Sequence, residues 1–265
     1  MQVMKKILFL ILINALSVAA AAERIVSLSP ALTELVCHLG CEKQLIGRSE
    51  VCNFPESVRK IPVAGRFADP DIERVLRMKP TLIITNDLIN PNVITTFRKS
   101  GIKSAMLQCR NIAEYRSCVQ QLSSLLNVRE RGQKELERID KELAKKHKPL
   151  NCNVLWVIWD SPLMVAGKNS LPDELINLAG ARNVAENVPQ AYFKCSFDWL
   201  LRQQVDIIIW SASPKGYKRH RFWKKLPAVV KGKIIENLNP DLIQRPGPRI
   251  FEGIKLLRQS LEEMQ

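Results

Sequence analysis

The chain has 265 residues, which is enough for one large domain or for two smaller lobes with substantial cores. Its 40 Lys and Arg residues outnumber 26 Asp and Glu residues, and the formal net charge is +14. Such a surplus suits nucleic acid or an anionic membrane surface. The three histidines lie far apart in sequence and no Cys-x-x-Cys pair occurs, so we expect no metal site.

The N-terminus has the pattern of an export signal. Lys5 and Lys6 are followed by the apolar run Ile7–Ile13 and by small residues at Ala19–Ala22. The run is shorter than the roughly 20 residues that a membrane-spanning helix needs. No cysteine lies near the cleavage point, so we expect no lipid anchor. We therefore expect residues 1–22 to be removed and the mature chain to be soluble and free in a periplasm. An exported chain seldom meets nucleic acid, so no nucleic-acid partner is expected.

The mature chain opens with a short apolar strand that leads directly into a helix. Ser29 can cap this helix, and Pro30 suits its first position because the missing N–H has no partner there. The free N–H groups at the start of the helix point beyond the sheet edge, where they suit a ligand with carbonyl or anionic oxygens. Ser29 is therefore a candidate ligand-binding residue.

Strand and helix patterns alternate in both halves of the chain. The first half has predicted strands at Ile25–Ser29, Leu45–Arg48, Leu82–Thr85 and Ser104–Leu107 and predicted helices at Ala31–Leu39, Ile72–Met78, Pro91–Ser100 and Ile112–Leu126. The second half has predicted strands at Val154–Trp159, Ile207–Trp210 and Lys233–Glu236 and predicted helices at Leu171–Ala179, Phe197–Gln203 and Pro248–Glu263.

A charged segment with one apolar stripe, Val128–Lys148, separates the two halves and ends before Pro149. As a helix it would be roughly 30 Å long. The pattern predicts an α/β protein of two lobes, each a mainly parallel sheet flanked by helices. The N-terminal lobe is expected at 23–127, the connecting helix at 128–149 and the C-terminal lobe at 150–265.

Ligands of such sheets bind beyond the carboxyl ends of the strands. The basic cluster Lys215–Lys225 is either a solvated loop or a collar around an anionic ligand. No Ser/His/Asp ordering, G-x-S-x-G motif or phosphate loop is present, so we expect a binding protein and not a secreted enzyme.

Seven cysteines in an oxidising compartment predict disulfides with at least one thiol left over, or several buried free thiols.

Five motifs, taken in order, resemble a known family. They are Ile25-Val-Ser-Leu-Ser-Pro-Ala-Leu-Thr-Glu34, Val36-Cys-His-Leu-Gly40, Cys52-Asn-Phe-Pro55, Asp71-Ile-Glu-Arg-Val-Leu-Arg-Met-Lys-Pro80 and Arg245-Pro-Gly-Pro-Arg-Ile250. The chain resembles the periplasmic substrate-binding proteins of ABC importers for vitamin B12 and iron–siderophores, and most of all their cobalamin-binding branch. The resemblance implies a monomer that binds a corrinoid between its lobes and delivers it to a permease dimer in the inner membrane. It implies no cofactor, since cobalamin is the transported ligand; the alternative ligand is a ferric siderophore or haem.

The resemblance also implies roles for individual residues. Phe67 and Tyr192 match cleft aromatics that lie against the corrin, although ordinary loop packing is the alternative. Met164 is expected in a loop suited to apolar contact, and Arg245 lies near the cleft, where it favours an anionic ligand. Val51 replaces an aromatic residue found in some B12-binding proteins, which weakens the corrinoid interpretation.

Four further residues receive roles from the same resemblance. Glu73 and Asp198 match acidic residues that dock onto arginines of the two permease subunits; the alternative is that each acid only stabilises the first turn of a helix. Cys37 would close the first helix and Cys52 would lie in the loop after the next strand. Because consecutive elements are usually neighbours in space, a Cys37–Cys52 disulfide is the expected pairing.

Overall fold

The structure is a computed structural model that describes residues 22–212, 216–218 and 221–265. The expected export signal therefore lies outside the described residues except for Ala22, and so does part of the Lys215–Lys225 cluster, namely Lys215, Arg219 and His220.

The first lobe is a parallel sheet with helices on both faces. Its strands are β1 (Ile25–Ser27), β2 (Leu45–Arg48), β3 (Gly65–Arg66), β4 (Asp69–Pro70), β5 (Leu82–Thr85) and β6 (Lys103–Met106), and its helices are α1 (Pro30–His38), α2 (Ile72–Arg77), α3 (Pro91–Lys99) and α4 (Ile112–Leu125). The sheet order is β2-β1-β5-β6 with every pair parallel, while β3 and β4 form a separate antiparallel hairpin. The carboxyl ends of the four parallel strands therefore lie along one edge.

The central strands β1 and β5 are apolar on both faces because both faces are covered. Ile25 and Ile84 pack into one core with α1 and α4, while Val26 and Ile83 pack into a second core with α3. All four side chains are fully buried. Such double-sided burial is typical of parallel sheets and explains the continuous apolar runs in these strands.

The helix between the two sheets, α5 (Arg129–Leu143), is shorter than the 128–149 helix expected from the sequence. Its 15 residues correspond to about 22 Å. After Leu143 the sequence offers only Ala144, three lysines, His147 and Pro149 before Leu150, so a further turn would bury little apolar surface. The predicted stop at Pro149 is therefore wrong by about six residues.

The second lobe has a mixed sheet. Its strands are β7 (Asn153–Trp159), β8 (Met164–Ala166), β9 (Arg182–Asn183), β10 (Tyr192–Lys194), β11 (Ile207–Trp210) and β12 (Ile234–Ile235), and its helices are α6 (Leu171–Leu178), α7 (Phe197–Leu201), α8 (Pro227–Val230), α9 (Pro240–Ile243) and α10 (Ile250–Glu263). The order is β10-β8-β7-β11-β12, with β9 also beside β7. Only the two pairs made by β8 are antiparallel within this sheet as described. The predicted fold class is confirmed.

The two lobes share one continuous core. Trp156 and Ile209 on one face of the second sheet belong to the same buried cluster as Ile25 of the first lobe and Leu257 of α10. The opposite face of the second sheet, with Leu155, packs on a separate aromatic-rich cluster. The lobes are thus joined by packing as well as by α5.

Candidate functional site

The loops beyond the carboxyl ends of β1, β2 and β6 meet a segment of the second lobe, residues 239–250. The Asn53 amide donates a 2.9 Å hydrogen bond to Asp241 Oδ2. The Cys109 thiol donates to the carbonyl oxygen of Pro246 at 2.9 Å. This segment therefore ties the two lobes together at the edge where ligands of α/β sheets bind.

A buried carboxylate of the first lobe anchors the same segment. Glu34 on α1 has a side chain that is only 4% exposed, and it accepts hydrogen bonds from Arg249 Nη2 at 2.6 Å and Nε at 2.8 Å. This two-pronged pairing raises the pKa of Arg249. A buried carboxylate is tolerated because a guanidinium satisfies both of its oxygens.

Arg245 is part of the same network and does not offer a free positive charge to a ligand. Its guanidinium lies 2.7 Å from Asp241 Oδ1, 2.8 Å from Asn53 Oδ1 and 3.5 Å from Glu34 Oε1. The side chain is 17% exposed. Arg245 stays a predicted ligand residue, and its charge is already balanced by two carboxylates of the lobe junction.

Two exposed aromatic residues at the sheet edges were not among the expected site residues. Phe54 follows β2, is 41% exposed, and carries the Arg249 guanidinium over its ring at 3.7 Å. Trp159 ends β7, is 53% exposed and donates its indole N–H to the Ser161 carbonyl oxygen at 2.9 Å. Their positions at the carboxyl ends of predicted strands were the sequence signal that could have found them.

Phe67 lies in the two-residue turn between β3 and β4, with 40% of its surface exposed. The turn is closed by Ala68 at a positive φ of 59°, and a Cβ on Gly65 would lie 2.4 Å from the Asp71 backbone nitrogen. Gly65 therefore allows the close approach that holds the hairpin against the start of α2. Phe67 is presented to solvent at the tip of this hairpin.

Tyr192 and Met164 lie on neighbouring strands of the second lobe. Tyr192 is opposite Ala166, and Met164 is two residues from Ala166 on the same strand, so both side chains share one face. Met164 was expected in a loop, but it begins strand β8. Tyr192 is 46% exposed; burial of its hydroxyl raises its pKa, while a hydrogen bond from the Leu171 backbone lowers it.

Glu73 and Asp198 have matching positions in the two lobes. Each is the second residue of a short helix, after Ile72 in α2 and after Phe197 in α7. Both helices are capped by a polar side chain that accepts from the third backbone N–H of the helix. The Glu73 side chain is 85% exposed, and Asp198 is also exposed.

Ser29 is only 2% exposed and therefore is not open to a ligand as the chain is folded. It occupies the N-cap position of α1 without a side-chain cap bond, and its carbonyl oxygen accepts from both the backbone N–H and the hydroxyl of Thr33. A ligand contact by Ser29 stays a prediction, and the first turn of α1 is buried in this structure.

The expected Cys37–Cys52 disulfide is not formed, since both residues are free thiols. Cys52 Sγ lies 3.1 Å from Thr33 Oγ1 and 3.2 Å from Ser49 Oγ. Burial and the nearby Glu42 carboxylate raise the pKa of Cys37 to about 12. The buried Cys52 thiol is thus held inside the first lobe by two hydroxyl groups, and Cys37 is kept protonated at the end of α1.

Two cavities lie elsewhere on the described surface. One of about 500 Å³ lies between α5 and α10. A second of about 180 Å³ lies at the carboxyl ends of β11 and β12, beside Gln244. Phe67, Met164 and Tyr192 line neither of these two cavities. Within residues 22–212, 216–218 and 221–265, no cluster of three or more His, Cys, Asp or Glu side chains could hold a metal ion. None of the helices described there is long and apolar enough to cross a bilayer.

Comparison with known proteins agrees with this architecture. The family described as "Periplasmic binding protein" matches residues 25–238. The vitamin B12-binding protein of Vibrio parahaemolyticus is 26% identical over 241 residues, which cover 88% of this chain and 86% of that protein. That of Pectobacterium atrosepticum is 24% identical over 93% of this chain and 91% of its own length.

Solved structures share the fold over nearly the whole chain. The periplasmic heme-binding protein HutB of Vibrio cholerae gives a TM-score of 0.80 at 22% identity, covering 91% of this chain and 99% of HutB. The periplasmic vitamin B12-binding protein BtuF of the same species gives 0.73 at 24% identity, covering 92% and 98%. The family match and the curated relatives make this chain a substrate-binding protein and not an enzyme. The chain belongs to the periplasmic binding protein family.

Proposed function

We propose that this protein is the substrate-binding component of an ABC importer and that it carries a corrinoid, cobalamin or cobinamide, between its two lobes. The observation that carries this proposal is the similarity to proteins named vitamin B12-binding protein, which extends over 88% and 93% of this chain in the two relatives compared above. In this proposal the protein acts as a monomer in the periplasm and needs no cofactor of its own.

The exposed aromatic residues support a flat ligand. Phe67 is at the tip of a hairpin in the first lobe, and Tyr192 lies on an edge strand in the second, so each lobe offers one flat apolar face to solvent. A corrin ring can stack on such a face without any charged partner. Met164, which shares a face with Tyr192, adds an adaptable apolar contact.

Haem is the second candidate ligand, because the partly exposed Tyr192 carries a phenol. A tyrosine oxygen can coordinate the iron of haem, whereas stacking on a corrin requires only the aromatic ring. A ferric siderophore is a weaker candidate. Arg245, the cation expected to attract such an anion, is already paired with Asp241 and Glu34.

Calorimetric titration of the mature protein separates these ligands. We expect micromolar or tighter binding of cyanocobalamin or dicyanocobinamide, and no heat with haemin or a ferric siderophore. Tyr192→Phe keeps the ring and removes the phenol, so corrinoid affinity should be unchanged in this variant. Haemin binding that is lost in Tyr192→Phe, with no response to corrinoids, would replace the corrinoid proposal by the haem one.

Glu73 and Asp198 are proposed to dock the loaded protein onto the permease. One exposed carboxylate at the second position of a capped helix in each lobe suits a partner made of two similar subunits. Phe197, which is 43% exposed and precedes Asp198, would add an apolar contact on the second lobe.

A further inference from the structure

An aromatic pair lies at the surface of the second lobe, between α7 and the short 3-10 helix Arg221–Lys225. The ring centres of Phe197 and Phe222 are 3.9 Å apart, and the Phe197 ring lies edge-on to Trp223 at 6.4 Å. Trp223 is fully buried, whereas Phe197 is 43% exposed. The pair therefore rests on the core of the second lobe and presents apolar surface to solvent.

Helix α7 extends this apolar surface. Leu201 comes four residues after Phe197, so the two side chains lie on the same face of the helix. Leu201 is also 43% exposed. Neighbouring large apolar side chains that are exposed together mark an interaction site, whereas single ones need no explanation.

Positive charge flanks the apolar side chains. Arg221, Lys224 and Lys225 are all exposed. Residues three apart in a 3-10 helix are eclipsed, so Lys225 lies on the same side as Phe222, and Lys224 lies on the same side as Arg221. The short helix thus places one cation beside the aromatic pair and two more next to it.

The charge of these cations is not balanced by acids. Among the residues that the structure describes, none of the three forms an ion pair, whereas the nearby Lys218 has Glu236 at 3.9 Å. Residues 207–235 contain eight Lys and Arg residues and no Asp or Glu residue. Helix α7 contributes one acid, Asp198. The surface therefore combines exposed aromatic and aliphatic side chains with a surplus of positive charge.

We propose that this surface binds a membrane that contains anionic phospholipid. Its lysines and arginine attract the lipid phosphates, and its phenylalanines and leucine enter the boundary between headgroups and acyl chains. Protein interfaces are depleted in lysine, so the lysine-rich composition favours a lipid surface over an acidic protein. We call this surface the aromatic–basic face, which consists of Phe197, Leu201, Arg221, Phe222, Lys224 and Lys225.

The inference rests on the proposed function only for the location of the protein, since a periplasmic carrier meets the inner membrane. Asp198, the proposed docking acid of the second lobe, directly follows Phe197 on α7. A carrier held at the membrane by the aromatic–basic face therefore has this acid close to the membrane in which the permease lies. Such attachment raises the effective concentration of the carrier near the permease.

Co-sedimentation of the mature chain with vesicles tests the proposal without permease or ligand. We expect the protein to sediment with vesicles of phosphatidylglycerol and phosphatidylcholine mixed at about 3:7 and to stay in the supernatant with phosphatidylcholine alone. Raising the salt concentration from about 0.1 M to about 1 M shortens the Debye length from about 10 Å to about 3 Å, so it should release most of the bound protein.

The charge of the face is tested by one triple variant. Arg221→Gln, Lys224→Gln and Lys225→Gln together should weaken the partition onto the mixed vesicles by roughly 100-fold, because each cation near an anionic surface contributes about a factor of five.

A second triple variant controls for total charge. Lys60→Gln, Lys99→Gln and Lys134→Gln make the same change in net charge at exposed residues of the first lobe and α5. This control should weaken the partition by less than about 5-fold, since only the long-range attraction of the whole protein is reduced.

The apolar part of the face is tested separately. Phe197→Ala with Leu201→Ala should weaken the partition by about 10-fold, because two inserted side chains are lost. Leu88→Ala with Leu256→Ala, at side chains that are 61% and 40% exposed, is the matched control and should leave it unchanged. Leu201→Ala alone keeps the test informative if loss of the Phe197 ring impairs folding.

Three results would overturn the proposal. One is equal sedimentation with both kinds of vesicle, and another is an equal loss in the two triple variants, which would assign binding to total charge. The third is a dimer in analytical ultracentrifugation that Phe197→Ala dissociates, with no vesicle binding, which would assign the face to a second copy of the chain. Failure to bind corrinoids would leave vesicle binding unchanged, so the two proposals are tested separately.

Discussion

The guanidinium of Arg249, at the start of α10, lies over the Phe54 ring of the first lobe with 3.7 Å between the guanidinium carbon and the ring centre. The same group donates two hydrogen bonds to the buried Glu34 carboxylate. One side chain of the second lobe thus satisfies a buried charge and covers an exposed aromatic of the first. Because a charge-assisted pair and a cation–π contact share one group, the lobe junction depends strongly on Arg249.

Arg249→Ala is expected to lower the free energy of unfolding by about 3–5 kcal/mol, because Glu34 keeps only the 3.5 Å contact with Arg245. Urea unfolding measures the change. Arg202→Ala, at an exposed arginine of the second lobe, serves as control and should change stability by less than about 0.5 kcal/mol. Adding Glu34→Gln should recover part of the loss; equal losses in the Arg249 and Arg202 variants would contradict the assigned role.

Glu135 is expected to make stability depend on acid pH. Burial by itself raises the pKa of this carboxyl, but hydrogen bonds from Arg138, His38 and Tyr115 lower it from 4.5 to about 2. A carboxyl whose pKa is lower in the folded state stabilises the fold above its unfolded pKa and loses that contribution as pH falls. The loss between pH 5 and pH 2 should be about 3 kcal/mol. Unfolding by urea across this range measures it, and Glu135→Gln should show a smaller slope; an unchanged slope would assign the pH dependence to other groups.

The contact between α4 and α5 depends on the absence of a side chain at Gly132. A Cβ at this position would lie 2.2 Å from Ser123 Oγ and 2.4 Å from Ser123 Cβ. Gly132→Ala should therefore destabilise the protein by about 1–3 kcal/mol despite the better helix propensity of alanine. Thermal unfolding checks this change. Gly101→Ala cannot serve as the control, because Gly101 has a positive φ and a side chain there would add backbone strain of its own. Adding Ser123→Gly should restore part of the stability; no interaction between the two substitutions would rule out the clash.

The elements with strong local signals were predicted well from the sequence. The strands Leu45–Arg48, Leu82–Thr85 and Ile207–Trp210 were predicted with the bounds that the structure has. The last two are apolar runs between polar or turn residues. The predicted helix start at Leu171 was also confirmed, and the Ser170 hydroxyl caps this helix by accepting from the Asp173 backbone N–H. Local patterns suffice where an element is defined by its own side chains.

Contacts between distant parts of the chain could not be predicted in this way. The strands β8 and β10 have three residues each, so they exist only because they pair with each other and with β7. Arg249 and Glu34 are 215 positions apart, and no local feature of either residue indicates the pairing. The same limit explains why Arg245 was expected to be free for a ligand, since its partners became visible only in the folded chain.

Phe67→Ala and Tyr192→Ala are each expected to weaken corrinoid binding by about 1–3 kcal/mol, because each removes an exposed aromatic face from one lobe. Calorimetry with cyanocobalamin measures the change. Leu256→Ala, at a 40% exposed apolar side chain on α10, is the matched control and should leave affinity unchanged. Wild-type affinity in both aromatic variants, with intact folding by circular dichroism, would show that these rings do not contact the ligand.

Charge reversal of the two matching acids tests transporter docking. Glu73→Arg combined with Asp198→Arg should abolish uptake by the cognate importer, while calorimetric affinity for the ligand stays the same, since the exposed carboxylates lie on helix ends and not at Phe67 or Tyr192. The control is Glu56→Arg with Glu263→Arg, which makes the same change in net charge at exposed acids of the two lobes. Normal uptake in that control shows that docking depends on position and not on total charge. Normal uptake in the Glu73 and Asp198 double variant would refute docking at these acids, and a loss of ligand affinity there would place them at the ligand site.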